Sequence, residues 1–445
     1  MKKIKQGGFR RRLAVGAAGA RGGLGLLSSK AASLFVAPEN RAAFQAQALQ
    51  REAERFVQQL GELKGAYVKI GQMLALYGEH LLPRPVTDAL HTLEANTTPL
   101  IWDAVSTQLD ASLDELQIEP QPIAAASLSQ VHRATAPRVR RPLCVKIQYP
   151  GIADTIDDDF RNVMQMLSLA QWVKSGRQLQ DLTKELRTHL MSEVDYAREL
   201  RVAGKFARLL KEDARYRVPA YYPKWSSGQV LTMEYLHGVE VTDPTVQALS
   251  QARRNRLAKH MLALFFHEVF DWGLMQTDPN FGNYKIIIDP DGEEDQIALL
   301  DFGAVQKLEP RFCKALRTTI TSAHRQDRQG TIDGLVELRC LRADDSPAVK
   351  QSFVSFCEFI LEPFSESAAS WPEHAVDDDG NYLWRESKLL KRAGKRGSDG
   401  MLVKGFVVPP PEFMLIVRKL TGVFTFVSTL DARMNCAELL QPYLD

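Results

Sequence analysis

The chain has 445 residues, 45% of them hydrophobic, which is enough for a substantial core and predicts two or three structural units. Its net charge is only +2, so global electrostatics gives no support for a nucleic-acid partner. The five cysteines (Cys144, Cys313, Cys340, Cys357 and Cys436) include no Cys-x-x-Cys pair. This pattern argues against a zinc site and predicts reduced thiols in a cytosolic protein.

Residues 1–40 are predicted to form a flexible basic arm. The first 38 residues contain eight lysines and arginines and no acid, a composition typical of a tail. Arg21 interrupts the only candidate apolar run, so a secretory signal peptide is not expected. Weak contact with an anionic membrane surface is the functional alternative.

Residues 41–120 are predicted to be a helical extension. From Arg41 to Gly78 apolar residues recur in steps of three and four, which predicts one helix with one buried stripe. Pro83 to Pro85 should end this helix, and further helices are expected to follow it. The stripe consists of Leu60, Leu63, Tyr67, Ile70, Leu74 and Tyr77.

A second face of the same helix carries Lys69 and Gln72, which are three residues apart and should therefore point the same way. The flanking Gly65 and Gly71 would permit close approach of another element. The alternative is that Lys69 is a solvated lysine on an ordinary helix.

Residues 121–236 are predicted to be a small lobe that contains a strand with an inward-pointing lysine, Lys146. A buried lysine is rare without a partner, and a strand lysine can bridge nucleotide phosphates and a helix glutamate. The segment before the strand takes the place of a phosphate-covering loop, although alanine cannot adopt the positive φ that glycine adopts freely. The alternative for this segment is an ordinary strand entry. Its candidate nucleotide-binding residues are Ala124, Ala125, Ala126 and Ser127.

An acidic segment is predicted to form one helix that carries Glu193, Asp195 and Glu199. At 100° per residue, Asp195 and Glu199 share a face and Glu193 points away from both. The helix could therefore serve two cations, such as Lys146 and Lys69. A solvated acidic face is the alternative.

Residues 230–238 are predicted to be a strand followed by a turn suited to a hinge between lobes. Backbone groups of Glu234, Tyr235 and Leu236 could there hydrogen-bond an adenine ring. The following apolar helix, predicted from Arg256 to Leu274, contains too many charged residues to span a membrane.

Residues 276–303 place an aspartate, an asparagine five residues later and a second aspartate after a short apolar strand. Phosphoryl transfer needs oxygen ligands for magnesium and a group that faces the nucleophile. Asn283 and Asp301 are predicted to be the magnesium ligands. Asp278 is predicted to be the catalytic aspartate that faces the nucleophile. The alternative is two acidic turns that flank a hairpin.

Residues 237–445 are predicted to be a mostly helical large lobe. Residues 386–404 should form a basic surface loop, and Pro409-Pro-Pro411 should open a last pair of helices. Arg418 and Lys419 interrupt the apolar run of residues 413–430, which excludes a membrane span there.

Together these segments resemble the UbiB/AarF family of atypical protein-kinase-like proteins from about Leu60 to the C-terminus. The resemblance implies an α+β, two-lobed protein-kinase-like fold with an N-terminal helical extension. It also implies that Lys146 pairs with Glu199 and that Lys69 reaches toward Glu193 and Asp195. The motifs that carry it are Lys69-Ile-Gly-Gln72, Ala124-Ala-Ala-Ser127-Leu-Ser-Gln-Val-His132, Val145-Lys146-Ile-Gln-Tyr-Pro-Gly151, Glu193-Val-Asp195-Tyr-Ala-Arg-Glu199, Met275-Gln-Thr-Asp278-Pro-Asn280 and Asp301-Phe-Gly303.

The chain departs from the family pattern at Ser129, where glycine is usual, at Asn280-Phe281, where bacterial members often have His-Pro, and in lacking the paired C-terminal membrane helices of some members. The resemblance implies an ATP-binding (or ADP-binding), magnesium-dependent atypical kinase or ATPase in quinone or prenyl-lipid metabolism. Quinone-pathway proteins or prenyl lipids are the expected partners. One alternative is a nucleotide-switched scaffold without turnover. The other is a small-molecule phosphotransferase, which the Lys-x-Gly-Gln extension argues against.

Overall fold

The structure is a computed structural model that describes residues 40–63, 65–77, 82–93, 98–173, 176–366, 368–401 and 409–444. Residues 1–39 of the predicted basic arm therefore lie outside the described residues. The chain divides into two compact units. The first contains the chain up to Arg201 together with Ala220–Tyr235, and the second contains Val202–Pro219 and the chain from Leu236 onward.

The first unit combines helices with an antiparallel sheet. The helices are α1 (Arg41–Leu63), α2 (Ala66–Tyr77), α3 (Arg84–Leu90), α4 (Trp102–Val105), α5 (Ile152–Leu169), α6 (Arg177–Glu193) and the start of α7 (Tyr196–Leu209), which continues into the second unit. The strands are β1 (Gln117–Ala125), β2 (Ser129–Ala136), β3 (Val139–Gln148) and, after β4 (Tyr216–Arg217) of the second unit, β5 (Val230–Glu234). The sheet order is β1-β2-β3-β5.

Strand β3 lies inside this sheet, which explains how its lysine is held. Lys146 is paired with Val131 of β2 on one side and with Leu231 of β5 on the other. Its sequence neighbours Val145 and Ile147 are fully buried in the core on the opposite face. Because side chains alternate along a strand, burying these neighbours turns Lys146 toward the other face of the sheet.

Two buried polar side chains of β2 bind backbone groups of the segment before β1 and of β1 itself. Gln130 accepts a hydrogen bond from the Leu100 N–H (2.9 Å), and Nδ1 of His132 lies 2.7 Å from the Glu119 carbonyl oxygen. Both side chains are fully buried, and burial lowers the pKa of His132. These two residues of the alanine-rich motif therefore support the sheet.

The single helix predicted for residues 41–78 is wrong, because the chain forms two helices. Gly65 separates α1 from α2 and has a φ of +61°, in the left-handed region that a right-handed helix cannot pass through. Glycine adopts this conformation without a steric penalty. The apolar periodicity continues across the break, which is why the sequence pattern did not reveal it.

The acidic segment is also two helices and not the predicted one. Helix α6 ends at Glu193, and α7 begins at Tyr196. The Asp195 side chain accepts a hydrogen bond from the Arg198 N–H (2.8 Å), so it satisfies a free donor of the first turn of α7. A capping aspartate thus starts a new helix where the sequence was interpreted as continuous.

The second unit is mainly helical and contains two small sheets. Its helices are the rest of α7, then α8 (Pro244–Gln247), α9 (Gln251–Phe266), α10 (Pro310–His324), α11 (Arg328–Glu337), α12 (Pro347–Ile360), α13 (Leu389–Met401), α14 (Pro411–Thr429) and α15 (Ala437–Leu440). Its later strands are β6 (Leu274–Gln276), β7 (Tyr284–Ile287), β8 (Gln296–Leu299) and β9 (Val305–Lys307). The sheets have the orders β4-β8-β7 and β6-β9. No helix among the described residues is long and apolar enough to cross a membrane.

Two further expectations for the second unit are corrected. The predicted helix over residues 256–274 stops at Phe266 and continues as a π-helical turn, His267–Asp271, before β6. The predicted basic loop over residues 386–404 contains α13, and its residues 402–404 lie outside the described part of the chain. Helix α13 is stabilised by burial of Leu389 and Ala393, which are four residues apart on one face.

The stability of the second unit should depend on pH through His260 of α9. Burial, with a contribution from the positive charge of Arg215, lowers the pKa of His260 from 6.5 to about 4. Between these values the unfolded chain binds a proton that the folded chain does not bind, so lowering the pH destabilises the fold. The slope from one group is at most about 1.4 kcal/mol per pH unit. We expect His260→Asn to flatten the pH dependence of urea unfolding between these values.

The matched control for this prediction is His374→Asn, which alters an exposed histidine of the same unit. It should retain the wild-type pH dependence. A His260→Asn profile parallel to that of wild type would contradict the prediction.

Candidate active site

The lysine of β3 and the glutamate of α7 form the ion pair expected from the sequence. Lys146 Nζ lies 3.1 Å from both carboxylate oxygens of Glu199. The Lys146 side chain is 16% exposed and that of Glu199 only 1%. The Lys146 ammonium also lies 5.2 Å from the centroid of the Tyr196 ring, close enough for a cation–π contact. A buried carboxylate thus holds a cation that remains partly accessible.

Gln148 connects β3 to the junction between α6 and α7. Its amide nitrogen donates to the Val194 carbonyl (2.6 Å) and to the Gly228 carbonyl (3.3 Å), and the side chain is buried. Val194 lies in the two-residue break before α7. The hydrogen bond therefore fixes the start of the helix that carries Glu199.

Lys69 of α2 pairs with the last residue of α6. Its Nζ lies 2.5 Å from Glu193 Oε1, and the two side chains are 18% and 21% exposed. Asp195, the other acid implied by the family resemblance, is exposed and caps α7. Gln72 donates to the Leu93 carbonyl at 3.5 Å.

Gly71 explains why the Lys-x-Gly-Gln motif needs a small residue. A methyl group added at Gly71 would meet the side chain of Leu93 and lie 3.0 Å from that of Leu60. The contact with Leu60 joins α2 to α1. The glycine therefore permits close packing inside the extension.

The alanine-rich segment ends β1 with Ala124 and Ala125 and then connects β1 to β2. The Ala126 N–H donates to the Ser129 carbonyl (2.8 Å), which extends the pairing of β1 with β2 by one residue. Ala124 and Ala126 are exposed, Ala125 is half-buried and Ser127 is buried.

The segment predicted to bind adenine already uses two of its backbone donors. The Glu234 N–H donates to the Ala220 carbonyl (2.7 Å), and the Tyr235 N–H to the Pro142 carbonyl (2.8 Å). Within the described part of the chain, the Leu236 N–H has no backbone partner. Leu236 is therefore the one member of the predicted trio with an N–H left for a ligand.

In the second unit, strand pairing brings the loop with Asp278 and Asn283 beside the segment that contains Asp301. Gln276 of β6 is paired with Val305 of β9, and the Leu300 N–H donates to the Asn283 carbonyl (3.0 Å). The two segments are thus joined on both sides of the candidate residues.

Within this loop, Asn283 and Asp278 are in direct contact. Asn283 Nδ2 donates to both the carbonyl oxygen and Oδ2 of Asp278, at 3.1 Å each. Asp301 Oδ1 accepts a hydrogen bond from the Gly303 N–H (2.9 Å). Phe302, between them, is fully buried and points away from solvent.

Sequence reasoning missed Arg418, which binds the candidate catalytic acid. Arg418 of α14 places Nη2 3.2 Å from Asp278 Oδ1. The two residues are 140 positions apart, so no local pattern connects them. The available signal was the Arg418-Lys419 pair inside an otherwise apolar helix, which needs partners if the helix is buried.

The first unit has an antiparallel sheet with a lysine–glutamate ion pair, and the second, mainly helical unit has an Asp-Asn loop and an Asp-Phe-Gly turn. This combination defines a protein-kinase-like protein. The chain belongs to the ABC1 atypical kinase-like family, which matches residues 92–334. The resemblance found in the sequence is thereby confirmed.

Curated relatives extend the similarity over most of the chain. Atypical kinase COQ8, mitochondrial, of Saccharomyces cerevisiae is 29% identical over 395 residues, which cover 87% of this chain and 75% of the yeast protein. Atypical kinase COQ8B, mitochondrial, of Rattus norvegicus is 29% identical over 396 residues, with 87% and 71% covered.

Among solved structures, the Rv3197–erythromycin complex from Mycobacterium tuberculosis has a similar fold. The TM-score is 0.60 at 22% sequence identity, and the match covers 91% of this chain and 100% of the other. Together with the family match, this likeness confirms the predicted kinase-like α+β fold.

Proposed function

We propose that the protein binds ATP with magnesium and acts as an atypical kinase or ATPase. The observation that carries the proposal is the Lys146–Glu199 pair, in which a buried glutamate orients a lysine that is still accessible. A strand lysine held in this way is the group that contacts nucleotide phosphates in kinases. Leu236 would supply a backbone donor for the adenine ring, and Ala124 to Ser127, at the end of β1, would cover the phosphates.

The residues of the second unit have the right chemistry for magnesium. The amide nitrogen of Asn283 donates its hydrogen bonds to Asp278, and no described residue donates a hydrogen bond to Asn283 Oδ1. With the Asp301 carboxylate it would give two hard oxygen ligands. Magnesium commonly takes one or two protein ligands and completes its shell with phosphate and water oxygens. The bound ion would neutralise negative charge on the phosphates.

Asp278 is proposed to face the group that attacks the phosphorus atom. Its two carboxylate oxygens already accept hydrogen bonds from Asn283 and Arg418, which fixes the plane of the carboxylate. An ionised carboxylate has about four acceptor positions, so a water molecule or hydroxyl group can still bind.

We further propose a role in quinone or prenyl-lipid metabolism. The support is the similarity over most of the chain to the two relatives whose names contain COQ8. Proteins of that pathway, or a prenyl lipid at an anionic membrane surface, would be the partners. The acceptor of the phosphoryl group would then be a lipid, a protein or water.

The proposal is tested with the purified full-length protein. Titrations with ATP and ADP, each with and without magnesium, should raise the melting temperature. Phosphate release and intact-mass analysis of protein and lipid fractions after incubation with labelled ATP then identify the acceptor. Binding without phosphate release or transfer would favour the nucleotide-switched scaffold. No binding of either nucleotide would contradict the proposal.

The contact between Lys69 and Glu193 is proposed to restrain transfer of phosphate to protein hydroxyl groups. It joins α2 of the extension to the end of α6, close in sequence to the helix with Glu199. Lys69→Ala should leave nucleotide binding intact and expose autophosphorylation, detected by mass spectrometry after incubation with magnesium and ATP. Glu193→Ala should give the same result, because either change removes the same ion pair.

Arg187→Ala is the matched control for this prediction. Arg187 also lies on α6 and pairs with Asp157 at 2.7 Å, but the pair is mostly exposed and contains no candidate site residue. Loss of activity in Lys69→Ala without any phosphate on the protein would instead assign Lys69 to charge stabilisation. A Lys69→Ala protein identical to wild type in affinity, turnover and self-modification would contradict both roles.

A further inference from the structure

The loop with Asp278 and Asn283 begins after Gln276, the last residue of β6, and ends before Tyr284, the first residue of β7. Side chains of these two flanking residues meet, because the Tyr284 hydroxyl donates to Gln276 Oε1 at 3.3 Å. Both are almost completely buried. The two ends of the loop are therefore joined by a hydrogen bond that solvent does not reach.

This hydrogen bond is continued by a buried ion pair. Lys419 of α14 donates to the Tyr284 hydroxyl at 3.0 Å, and its Nζ lies 2.7 Å from Glu268 Oε2. The Lys419 and Glu268 side chains are 1% and 0% exposed. Burial acts to lower the pKa of Lys419, but the contacts with Glu268 and Tyr284 together outweigh it and raise the pKa, while burial raises the pKa of Glu268.

Stability alone does not account for this arrangement. An apolar pair of similar volume commonly stabilises a core at least as well as a buried ion pair. Glu268 also lies in the π-helical turn His267–Asp271. Such turns are rare in proteins as a whole, and those that occur are often found at functional sites. What the ionic pair adds is a directed hydrogen bond to Tyr284, and through it to Gln276.

The same helix also contacts the loop through three further residues. Arg418 binds Asp278, and a methyl group at Gly422 would clash with Pro279. Phe426 lies with its ring centroid 5.9 Å from that of Phe281. These residues are four apart along α14 and so share one face. Helix α14 lies beyond residue 334, where the family match ends.

We propose that the chain of side chains Glu268–Lys419–Tyr284–Gln276 positions the loop that carries Asp278 and Asn283, which makes α14 part of the active site. The four residues are positioning residues, since none of them contacts the proposed ligands. The inference rests on the proposed function, which assigns catalysis to this loop.

Two variants separate positioning from stability. Tyr284→Phe removes the central hydroxyl without changing a charge. The double variant Glu268→Gln with Lys419→Met removes both charges together, whereas Lys419→Met alone leaves a buried carboxylate and should melt at a much lower temperature. The matched control is Arg392→Met with Glu362→Gln, which removes another largely buried ion pair of the same unit (2.6 Å).

Tyr284→Phe and the Glu268/Lys419 double variant should melt close to wild type and bind nucleotide without magnesium as wild type does. Their turnover should fall by about 10- to 100-fold, because small displacements of catalytic groups have effects of this size. Hydrogen–deuterium exchange of the peptide that spans residues 276–284 should rise in both, and the Arg392/Glu362 control should show neither effect.

The outcomes distinguish the two proposals. If wild type turns over ATP and both test variants match the control in turnover and exchange, the positioning role is wrong and the proposed function stands. If wild type neither binds nor hydrolyses ATP, the proposed function fails, and exchange of the loop peptide alone decides the positioning role. Unchanged exchange would overturn it, and raised exchange confined to the test variants would support it.

Discussion

Asp301→Asn is expected to abolish the magnesium-dependent part of nucleotide binding and to reduce turnover by about 100-fold or more. Asparagine has the same shape as aspartate and can still accept the hydrogen bond that Asp301 Oδ1 accepts from the Gly303 N–H. The fold should therefore be retained. What is lost is the only negatively charged member of the proposed ligand pair with Asn283. Magnesium binds carboxylate oxygens much better than neutral amides, so the effect should be large.

The measurement is a thermal-shift titration with ATP, with and without magnesium, followed by phosphate release. Asp289→Asn is the matched control, because Asp289 also follows a strand of the second unit and accepts backbone hydrogen bonds, from Glu293 and Glu294. The control should keep the magnesium-dependent shift. The same magnesium-dependent shift in Asp301→Asn as in wild type would end the assignment of Asp301 as a ligand.

The sequence predicted that Lys146 needs a carboxylate partner, and the acidic segment offered Glu193, Asp195 and Glu199. The choice of Glu199 for Lys146, and of Glu193 or Asp195 for Lys69, came from the family resemblance. The structure pairs Glu199 with Lys146 and Glu193 with Lys69. Glu193 ends one helix and Glu199 lies in the next, so the angles predicted for a single helix do not explain this pairing.

The helix breaks themselves could not be predicted from periodicity. Gly65 and Asp195 interrupt helices whose apolar pattern continues on both sides, and the pattern records burial and not backbone continuity. Both residue types are nonetheless common at helix ends, glycine for its positive φ and aspartate for its capping oxygen. Gly65 and Asp195 were therefore local signals for helix ends, but the prediction followed the continuous apolar periodicity instead.

The role of α14 could not be predicted at all, because it depends on contacts across more than 100 residues. Arg418 and Lys419 were interpreted only as charges that exclude a membrane span. In the structure Arg418 binds Asp278, and Lys419 pairs with Glu268 in the core. A charged residue in an apolar helix is thus also evidence for a buried partner, but the sequence does not identify that partner.

The second large effect is expected at Lys146 and Glu199. Replacing one partner, by Lys146→Met or Glu199→Gln, leaves the other without its counter-charge in a site where the Glu199 side chain is 1% exposed. Each single change should lower the free energy of unfolding by about 3–5 kcal/mol, a large fraction of the stability of a typical domain. The double variant should lose much less than the sum, because it leaves no uncompensated charge. Urea unfolding of all four proteins gives the coupling energy directly.

The exposed pair Arg187–Asp157 of the same unit supplies the matched cycle. Its side chains are 56% and 38% exposed, so each single change should cost at most about 1 kcal/mol and the two should be nearly additive. Nucleotide affinity then separates structure from function at Lys146. The Lys146→Met/Glu199→Gln protein should be more stable than either single variant. It should still not bind ATP, because the group proposed to contact the phosphates is gone. Simple additivity in the Lys146–Glu199 cycle, or ATP affinity that returns together with stability, would refute the proposed role of the pair.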